Sequence, residues 1–312
     1  MKVCFIGLGS IGIRHLKNLI KLTKSRKINL EVDAIRSGKG KPLADLGIHN
    51  EINHVYFSYD DAPDDYDVIF LTNPTSLHYQ TLLKVKNKSK HFFVEKPVFH
   101  TSKVDISMLK FRQDQIFYVA CPMRYEKVMQ YVKNTINMED VFCARSICSS
   151  YLPDWRKGTD YRTGYSAHKE MGGGVSLDLI HEWDYMSYLL SFPDQVYSFI
   201  QKRSNLEIDS DDIAVYIGKN HKCIYELHLD YFGREEIRQL QLFKEESTIL
   251  IDFLKGTIWD SETEKELFFS EGRDDYQSRE IACFLDMIEK KRININNLET
   301  ALKVLKLAEG IN

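Results

Sequence analysis

Two stretches of the chain carry side chains suited to moving a proton. In the first, His91-Phe92-Phe93-Val94 reads as a short buried strand, and Glu95-Lys96-Pro97 follow where it would emerge. Ligands of open parallel sheets bind beyond the carboxyl ends of the strands. A lysine there can meet a substrate hydroxyl and shuttle its proton. Pro97 fixes its own φ and restricts Lys96 to extended conformations, which holds the lysine in one direction. Taken alone, the same residues read as a surface Glu-Lys pair before a turn. In the second stretch, Gly172-Gly173-Gly174 leads into a run from Val175 to Tyr185. At about 100° per residue, Leu179, Trp183, Met186 and Leu190 share one helix face, and Asp178, His181, Glu182 and Tyr185 share another. The pattern predicts a helix that buries its apolar side and presents the titratable groups together. Histidine suits proton transfer near neutral pH.

Lys96 needs a sheet to stand on, and the first 120 residues supply one. Residues 3–6 form an apolar strand that runs into Gly7-Leu8-Gly9-Ser10-Ile11-Gly12, a G-x-G-x-x-G pattern. A helical stretch follows, with Ile13, Leu16, Leu19 and Ile20 on its apolar side. In this order the first glycine permits the tight turn, the second lets backbone approach a pyrophosphate, and the third lets helix pack on strand. The helix N-terminus turns free N–H groups and the positive end of its dipole toward the phosphates. Gly7, Gly9, Ser10, Ile11 and Gly12 are therefore candidate cofactor contacts. A second strand at 30–35 ends in Arg36-Ser37, with Lys39 beyond. A site for NAD usually carries an acid there for the ribose hydroxyls. An acid would repel a 2′-phosphate, whereas a guanidinium binds it through charge-assisted hydrogen bonds. Asp33 lies within the strand. The pattern favours NADP(H); NAD(H) remains possible with Arg36 as a solvated loop residue.

The alternation continues with strands at 55–58, 67–71, 91–94 and 116–120. Helices are expected at 77–85, capped by Thr75 or Ser76, and at 104–111. Thr72-Asn73-Pro74 closes the fourth strand and would abut the nicotinamide half of the cofactor. His78 either reaches cofactor or substrate or is structural. Repeated βα units of this length imply a doubly wound parallel sheet over residues 1–120.

Residues 121–312 read differently. A helix at 126–134 and a strand at 141–150 precede the glycine run. Strands then follow at 196–202, 213–217, 223–231, 237–243, 247–252 and 257–259, and two amphipathic helices near 284–288 and 298–308 close the chain. Between 151 and 162 lies a polar, aromatic loop holding Trp155, Arg156, Tyr161 and Arg162. Sugar rings stack on aromatic faces, and carboxylates or phosphates suit the arginine fork. The same loop equally suits an oligomer contact.

The chain has 312 residues, 43% hydrophobic and 28% charged, as a soluble globular protein of one large or two ordinary domains does. A net charge of −3 with both signs interspersed offers no basic face for nucleic acid. No run of about 18 apolar residues predicts a membrane span, and the first residues are too short in apolar character for a signal peptide. Six cysteines without a C-x-x-C pair read as reduced core thiols of a cytoplasmic protein. No ligand cluster argues for a metal.

The glycine pattern at 7–12, then Thr72-Asn73-Pro74 with His78, then Glu95-Lys96-Pro97, resemble the glucose–fructose oxidoreductase/inositol dehydrogenase/MocA family over essentially the whole chain. The resemblance implies a Rossmann domain joined to a C-terminal α/β domain with a large, mostly antiparallel sheet. The free face of that sheet is commonly an oligomer surface in the family, so a homodimer or homotetramer is expected. The implied activity is hydride transfer between a nicotinamide cofactor and a hydroxyl or keto carbon of a sugar, cyclitol or nucleotide-linked sugar, in a site between the domains. By the motif match, Lys96 contacts substrate and nicotinamide ribose, and Glu95 belongs to the same cofactor motif. Arg124 and Tyr125 lie in a segment like the family's crossover, near cofactor or substrate; an interdomain salt bridge is the other reading of Arg124. The loop with Trp155, Arg156, Tyr161 and Arg162 falls where the family contacts substrate. His181 matches the family's histidine after the glycine run, and Asp184 three residues on fits the pattern. Asp178 departs from it, standing three residues before the histidine where the family usually has four. A catalytic dyad and a packing carboxylate both stay open for it. Two other classes stay open as well, a cofactor-binding regulator without turnover and a redox-neutral glycoside hydrolase that uses NAD transiently.

Overall fold

The computed structural model describes residues 1–38 and 40–311. Lys39, named above beside Arg36, lies outside the described residues. In chain order the strands are β1 (Lys2–Ile6), β2 (Glu31–Ile35), β3 (His54–Tyr56), β4 (Tyr66–Leu71), β5 (Ser89–Val94), β6 (Phe117–Val119), β7 (Cys143–Tyr151), β8 (Gln195–Gln201), β9 (Ile213–Lys219), β10 (Ile224–Asp230), β11 (Phe232–Phe243), β12 (Thr248–Asp252), β13 (Thr257–Asp260) and β14 (Lys265–Phe268). The α-helices are α1 (Ser10–Ser25), α2 (His78–Val85), α3 (Lys127–Thr135), α4 (Val175–Asp178), α5 (His181–Leu190), α6 (Arg273–Ile288) and α7 (Leu298–Ala308).

Contacts group the chain into two units. The first holds Met1–Phe99, Lys103–Ala120 and Arg273–Ala301. Its six strands form one parallel sheet in the order β3-β2-β1-β4-β5-β6. Val68 to Leu71 and Phe92 to Val94 are wholly buried, the unbroken apolar runs of strands covered on both faces. The register matters for chemistry. Ile35 pairs with Ile6, Ile6 with Leu71, and Leu71 with Val94. Four strands therefore end in one row, and Arg36, Gly7, Thr72 and Glu95 leave the sheet side by side.

Two expected elements of this unit, the helix at 104–111 and a side-chain cap on α2, are corrected. The helix expected at 104–111 is a single 3-10 turn, Ile106–Met108. Asp105 accepts from the Ser107 backbone at 3.0 Å and from its hydroxyl at 2.6 Å, local bonds that compete with helix. Cover for the sheet comes from far along the chain. Phe284 on α6 packs against Phe70, Phe93 and Tyr118, with ring centroids 6.1, 5.3 and 5.7 Å away. Arg26 at the end of α1 bonds Asp286 at 2.8 Å. The segment 273–301 thus groups with the first unit, although the expected division at 120 put it in the second. The start of α2 also differs, with a 3-10 turn over Thr75–Leu77 and no side-chain cap.

The second unit holds His100–Ser102, Cys121–Gly272 and the chain from Leu302. Its eight strands run in the order β14-β13-β12-β11-β7-β10-β9-β8. Only β7 and β10 pair in parallel; the sheet is otherwise antiparallel, as the resemblance implied. Strand alternation places Tyr225, Leu227 and Leu229 inside and Ile224, Glu226 and His228 on the open face. β14 escaped the reading of the sequence because all four of its residues are exposed, so no apolar alternation marks it. Among the described residues, no helix is long and apolar enough to cross a membrane. All six cysteines are free thiols.

Candidate active site

The glycine turn after β1 is built by close contacts. Gly7 takes φ +90°, and a Cβ there would lie 2.7 Å from the Asn73 backbone. A Cβ on Gly12 would lie 2.5 Å from the Gly7 carbonyl oxygen and 2.7 Å from Thr72 Oγ1. Thr72 donates its hydroxyl to the carbonyls of Ile6 and Gly7, so it holds this turn. Gly9 differs, with nothing within 4 Å of a Cβ built on it. The fold demands two of the glycines, and the third borders open space at the N-terminus of α1. The first turn of α1 has no side-chain cap and no acid.

A cleft of about 510 Å³ opens here, lined by Gly7, Gly9, Ser10, Arg36, Ser37 and Lys41 among others. Ile11 and Gly12 do not line it. The donor set suits the pyrophosphate and adenosine end of a dinucleotide, with N–H groups at the start of α1 and, among the described residues, two cations and no carboxylate in the lining. Asp33 is fully buried and accepts from the Tyr66 hydroxyl at 2.9 Å, which removes the acid of β2 from any ribose. Arg36 donates to the Lys41 carbonyl, which lays its guanidinium along the cleft edge. Beside the glycine turn, Asn73 donates to Thr81 Oγ1 at 3.0 Å and keeps a buried Oδ1 that has no partner among the described residues. Pro74 next to it is exposed.

At the end of β5, Glu95 continues the strand by donating its N–H to the Leu71 carbonyl at 2.9 Å. Its Oε1 lies 2.5 Å from His15 Nε2 and its Oε2 accepts from the Lys96 backbone at 3.2 Å. Burial pushes Glu95 up, but its interactions with His15, and after them the neighbouring Lys96, outweigh it and leave the carboxyl below its ordinary value. Lys96 itself is partly exposed, and its bond to Pro97 is cis. His78 is 0% exposed, with both ring nitrogens 3.0 Å from carbonyl oxygens, those of Val98 and Asn73. Its ring therefore sits between two loops, with one carbonyl oxygen against each nitrogen. Burial pulls it below the ordinary imidazole value, offset in part by the two carbonyls.

In the second unit the glycine run is again a close-packing device. A Cβ on Gly173 would lie 2.1 Å from the Tyr165 carbonyl oxygen, and one on Gly174 would lie 2.2 Å from Asp211 Oδ1. Asp211 accepts from the Ser176 backbone at 2.9 Å and so caps α4. Nothing near the glycines in sequence marked Asp211 or Tyr165. The helix expected through Tyr185 is two pieces, because the junction tightens: Ile180 N–H reaches the Leu177 carbonyl, three residues back. Three of the four groups of the expected titratable face, Asp178, Glu182 and Tyr185, are buried. Glu182, 0% exposed, takes bonds from Arg238, Ser146 and Tyr185. Asp178 is buried and accepts from the Tyr231 hydroxyl at 2.5 Å, and it bonds Tyr165 as well. Burial and the Asp178 charge push both phenols up, so they remain donors. His181, the first residue of α5, stays partly exposed.

Arg124 pairs with Asp184 inside the same unit, with its guanidinium 4.8 Å from the Tyr188 ring centroid. Tyr125 is buried. Trp155, Arg156 and Tyr161 line one hollow with Leu152 and Ser166. Trp155 donates to Ser150 Oγ at 2.9 Å and stands edge-on to Tyr231, 5.2 Å between centroids. Arg162 is matched on the surface by Asp160 at 2.8 Å and Glu207 at 3.2 Å, so only Arg156 of the two loop arginines lines the hollow.

Comparison with known proteins agrees with this architecture. Residues 1–112 match the oxidoreductase family with an NAD-binding Rossmann fold, GFO_IDH_MocA. The chain is 24% identical over 196 residues to scyllo-inositol 2-dehydrogenase (NAD(+)) of Bacillus subtilis (strain 168), covering 61% of this chain and 54% of that protein. It spans about half the length of the curated relatives it matches. Among solved structures it is similar to levoglucosan dehydrogenase in complex with NADH and levoglucosan, with a TM-score of 0.83, 15% identity and coverage of 100% and 96% of the two chains. It is also similar to UDP-N-acetylglucosamine 3-dehydrogenase from Acidithiobacillus ferrooxidans, with a TM-score of 0.77, 17% identity and coverage of 100% and 96%. At these identities the structural likeness concerns the fold. The match to the oxidoreductase family covers residues 1–112, the part of the chain that carries the glycine cleft and the lysine after β5.

Proposed function

We propose that this chain is an NADP(H)-dependent dehydrogenase or reductase acting on a hydroxyl or keto carbon of a sugar, cyclitol or nucleotide-linked sugar. The observation that carries the reading is the common row of Ile35, Ile6, Leu71 and Val94, which brings Arg36, the glycine cleft and Lys96 to one edge of one sheet. The names of the relatives, dehydrogenases of inositol, levoglucosan and UDP-N-acetylglucosamine, support the substrate class.

When bound, the nicotinamide supplies the hydride acceptor or donor. The chain supplies orientation and proton handling. The N–H groups at the start of α1 hold the pyrophosphate, and Arg36 with Ser37 and Lys41 takes the 2′-phosphate. Lys96 meets the reacting hydroxyl and takes or returns its proton, and His181 is the second candidate for that proton. Trp155 and Arg156 suit a sugar ring that carries an anionic group. Asp178 acts through Tyr231 and Tyr165 as a positioning residue. The exposed Tyr197, Phe199 and Ile217 on the open face of the second sheet support a homodimer or homotetramer.

Nicotinamide absorbance with a panel of sugars, sugar acids, cyclitols and nucleotide sugars tests this, with NADP and NAD in parallel. Turnover that disappears in both Lys96→Ala and His181→Ala, while cofactor still binds, supports the assignment. Turnover unchanged in both overturns it. Tight cofactor binding without turnover on any substrate points to a regulator instead.

A further inference from the structure

Two histidines without a role in proton transfer stand on either side of the strand end that carries Lys96. His15, one turn into α1, is 0% exposed and lies edge-on to Phe93, the second residue before Glu95, at 5.0 Å between centroids. Its Nε2 meets Glu95 Oε1 at 2.5 Å, and its Nδ1 is buried with no partner among the described residues. A carboxylate only accepts, so the hydrogen of this bond stands on Nε2, which donates it to Glu95. The other oxygen of that carboxylate accepts from the backbone N–H of Lys96. Glu95 thus links α1 directly to the main chain of the lysine and keeps its negative charge beside it. Beyond the lysine, His78 at the start of α2 reaches the Val98 carbonyl with one nitrogen and the Asn73 carbonyl with the other.

A lysine side chain has about 2 kcal/mol of rotamer entropy and no rigid head group. Its usefulness at a reacting atom depends on how firmly its Cα is held, since misplacement by about 1 Å can cost about a hundredfold in rate. Lys96 follows a strand with no helix of its own to hold it. The two histidines supply that hold from two different helices.

We propose that His15 and His78 are positioning residues for Lys96, His15 by anchoring the Glu95 carboxylate to α1 and His78 by anchoring the following loop to α2. The proposal rests on the reading of Lys96 as the proton carrier, and its test separates the two. Lysine reactivity is read first, by competitive acylation with acetic anhydride near neutral pH and mass spectrometry of the peptides. Lys21, exposed on α1, is the internal standard. Glu95→Gln keeps the shape and removes the charge, and it raises Lys96 acylation relative to Lys21 by about tenfold, the effect of a nearby opposite charge on an amine. His15→Ala and His78→Ala lower kcat about tenfold or more with the dissociation constant for cofactor unchanged. His15→Gln, whose amide N–H stands where Nε2–H stood, recovers most of the loss, and a merely structural defect would not be recovered in this way.

Wild-type kcat and wild-type Lys96 reactivity in folded His15→Ala and His78→Ala overturn the proposal. Where His15→Ala does not fold, the pair His15→Gln and Glu95→Gln carries the test, and unchanged Lys96 reactivity in Glu95→Gln overturns it. Turnover that survives Lys96→Ala while Lys96 acylation still responds to these variants sinks the catalytic reading and supports the positioning one.

Discussion

Arg124 grips Asp184 at two points, Nε to Oδ2 at 2.9 Å and Nη2 to Oδ1 at 2.7 Å, with side chains only 3% and 11% exposed. Removing one partner of such a pair leaves a buried charge uncompensated, which costs about 3–5 kcal/mol. Replacing both with apolar groups of similar volume costs far less. Arg124→Ala is therefore expected to lower the unfolding free energy in urea by about 3–5 kcal/mol, and Arg124→Met with Asp184→Leu to recover much of it. A variant that unfolds like the wild type but binds cofactor weakly would return Arg124 to the ligand.

The glycines of the first turn separate fold from function. Gly12→Ala puts a methyl 2.5 Å from the Gly7 carbonyl oxygen, and overpacking of this kind typically costs about 1–3 kcal/mol. Gly9 has φ −75° and open space around its Cβ position, so Gly9→Ala is expected to leave the apo melting temperature unchanged. It should instead weaken dinucleotide binding about tenfold or more, because the methyl occupies the place where backbone approaches the pyrophosphate. Melting scans of the apo variants and titration with NADP check both halves.

What the sequence made legible follows from how each feature is encoded. The runs at 68–71 and 92–94 are strands because every side chain in them is buried, and such runs are visible in one dimension. The row that joins Arg36, Gly7, Thr72 and Glu95 could be anticipated from the parallel-sheet rule. The helix at 175–185 misled for a physical reason. Glu182 looks like a polar face until Arg238, from a strand more than fifty residues on, is seen to neutralise it. Asp178 likewise finds Tyr231, more than fifty residues on, at the join of β10 and β11. Periodicity reports polarity and cannot report a partner distant in sequence. The same limit hid α6 from the first unit, since contacts distant in sequence, such as those of Phe284 and the Arg26–Asp286 bond, place it there.

Arg36 and the cofactor's ribose give the next prediction. Among the described residues the cleft carries Arg36 and Lys41 and no carboxylate, and Asp33 is occupied by Tyr66. A hydrogen bond to a charged group contributes about 1.5–3 kcal/mol, so Arg36→Ala should raise the dissociation constant for NADP about ten- to a hundredfold. The constant for NAD should hardly move. Arg36→Asp should invert the preference. Equal effects on both cofactors would mean that Arg36 shapes the loop through the Lys41 carbonyl and does not read the phosphate.

His78 predicts a sign in the dependence of stability on pH. Burial holds the folded ring below its ordinary 6.5, so the unfolded chain takes up this proton at higher pH than the folded one. Its contribution to stability is full above about 6.5 and is lost as pH falls through the lowered folded value. Wild type should therefore lose ground to His78→Gln between neutral pH and mildly acidic pH, when urea midpoints of the two are compared at each pH. Carboxylates such as Glu95 titrate at lower pH and in both proteins, so they largely cancel in the difference. The opposite trend, a wild-type advantage that grows on acidification, would mean that the folded ring binds the proton more tightly. Both nitrogens would then donate, one to Asn73 and one to Val98, and the clamp on the lysine loop would be strongest in its charged form.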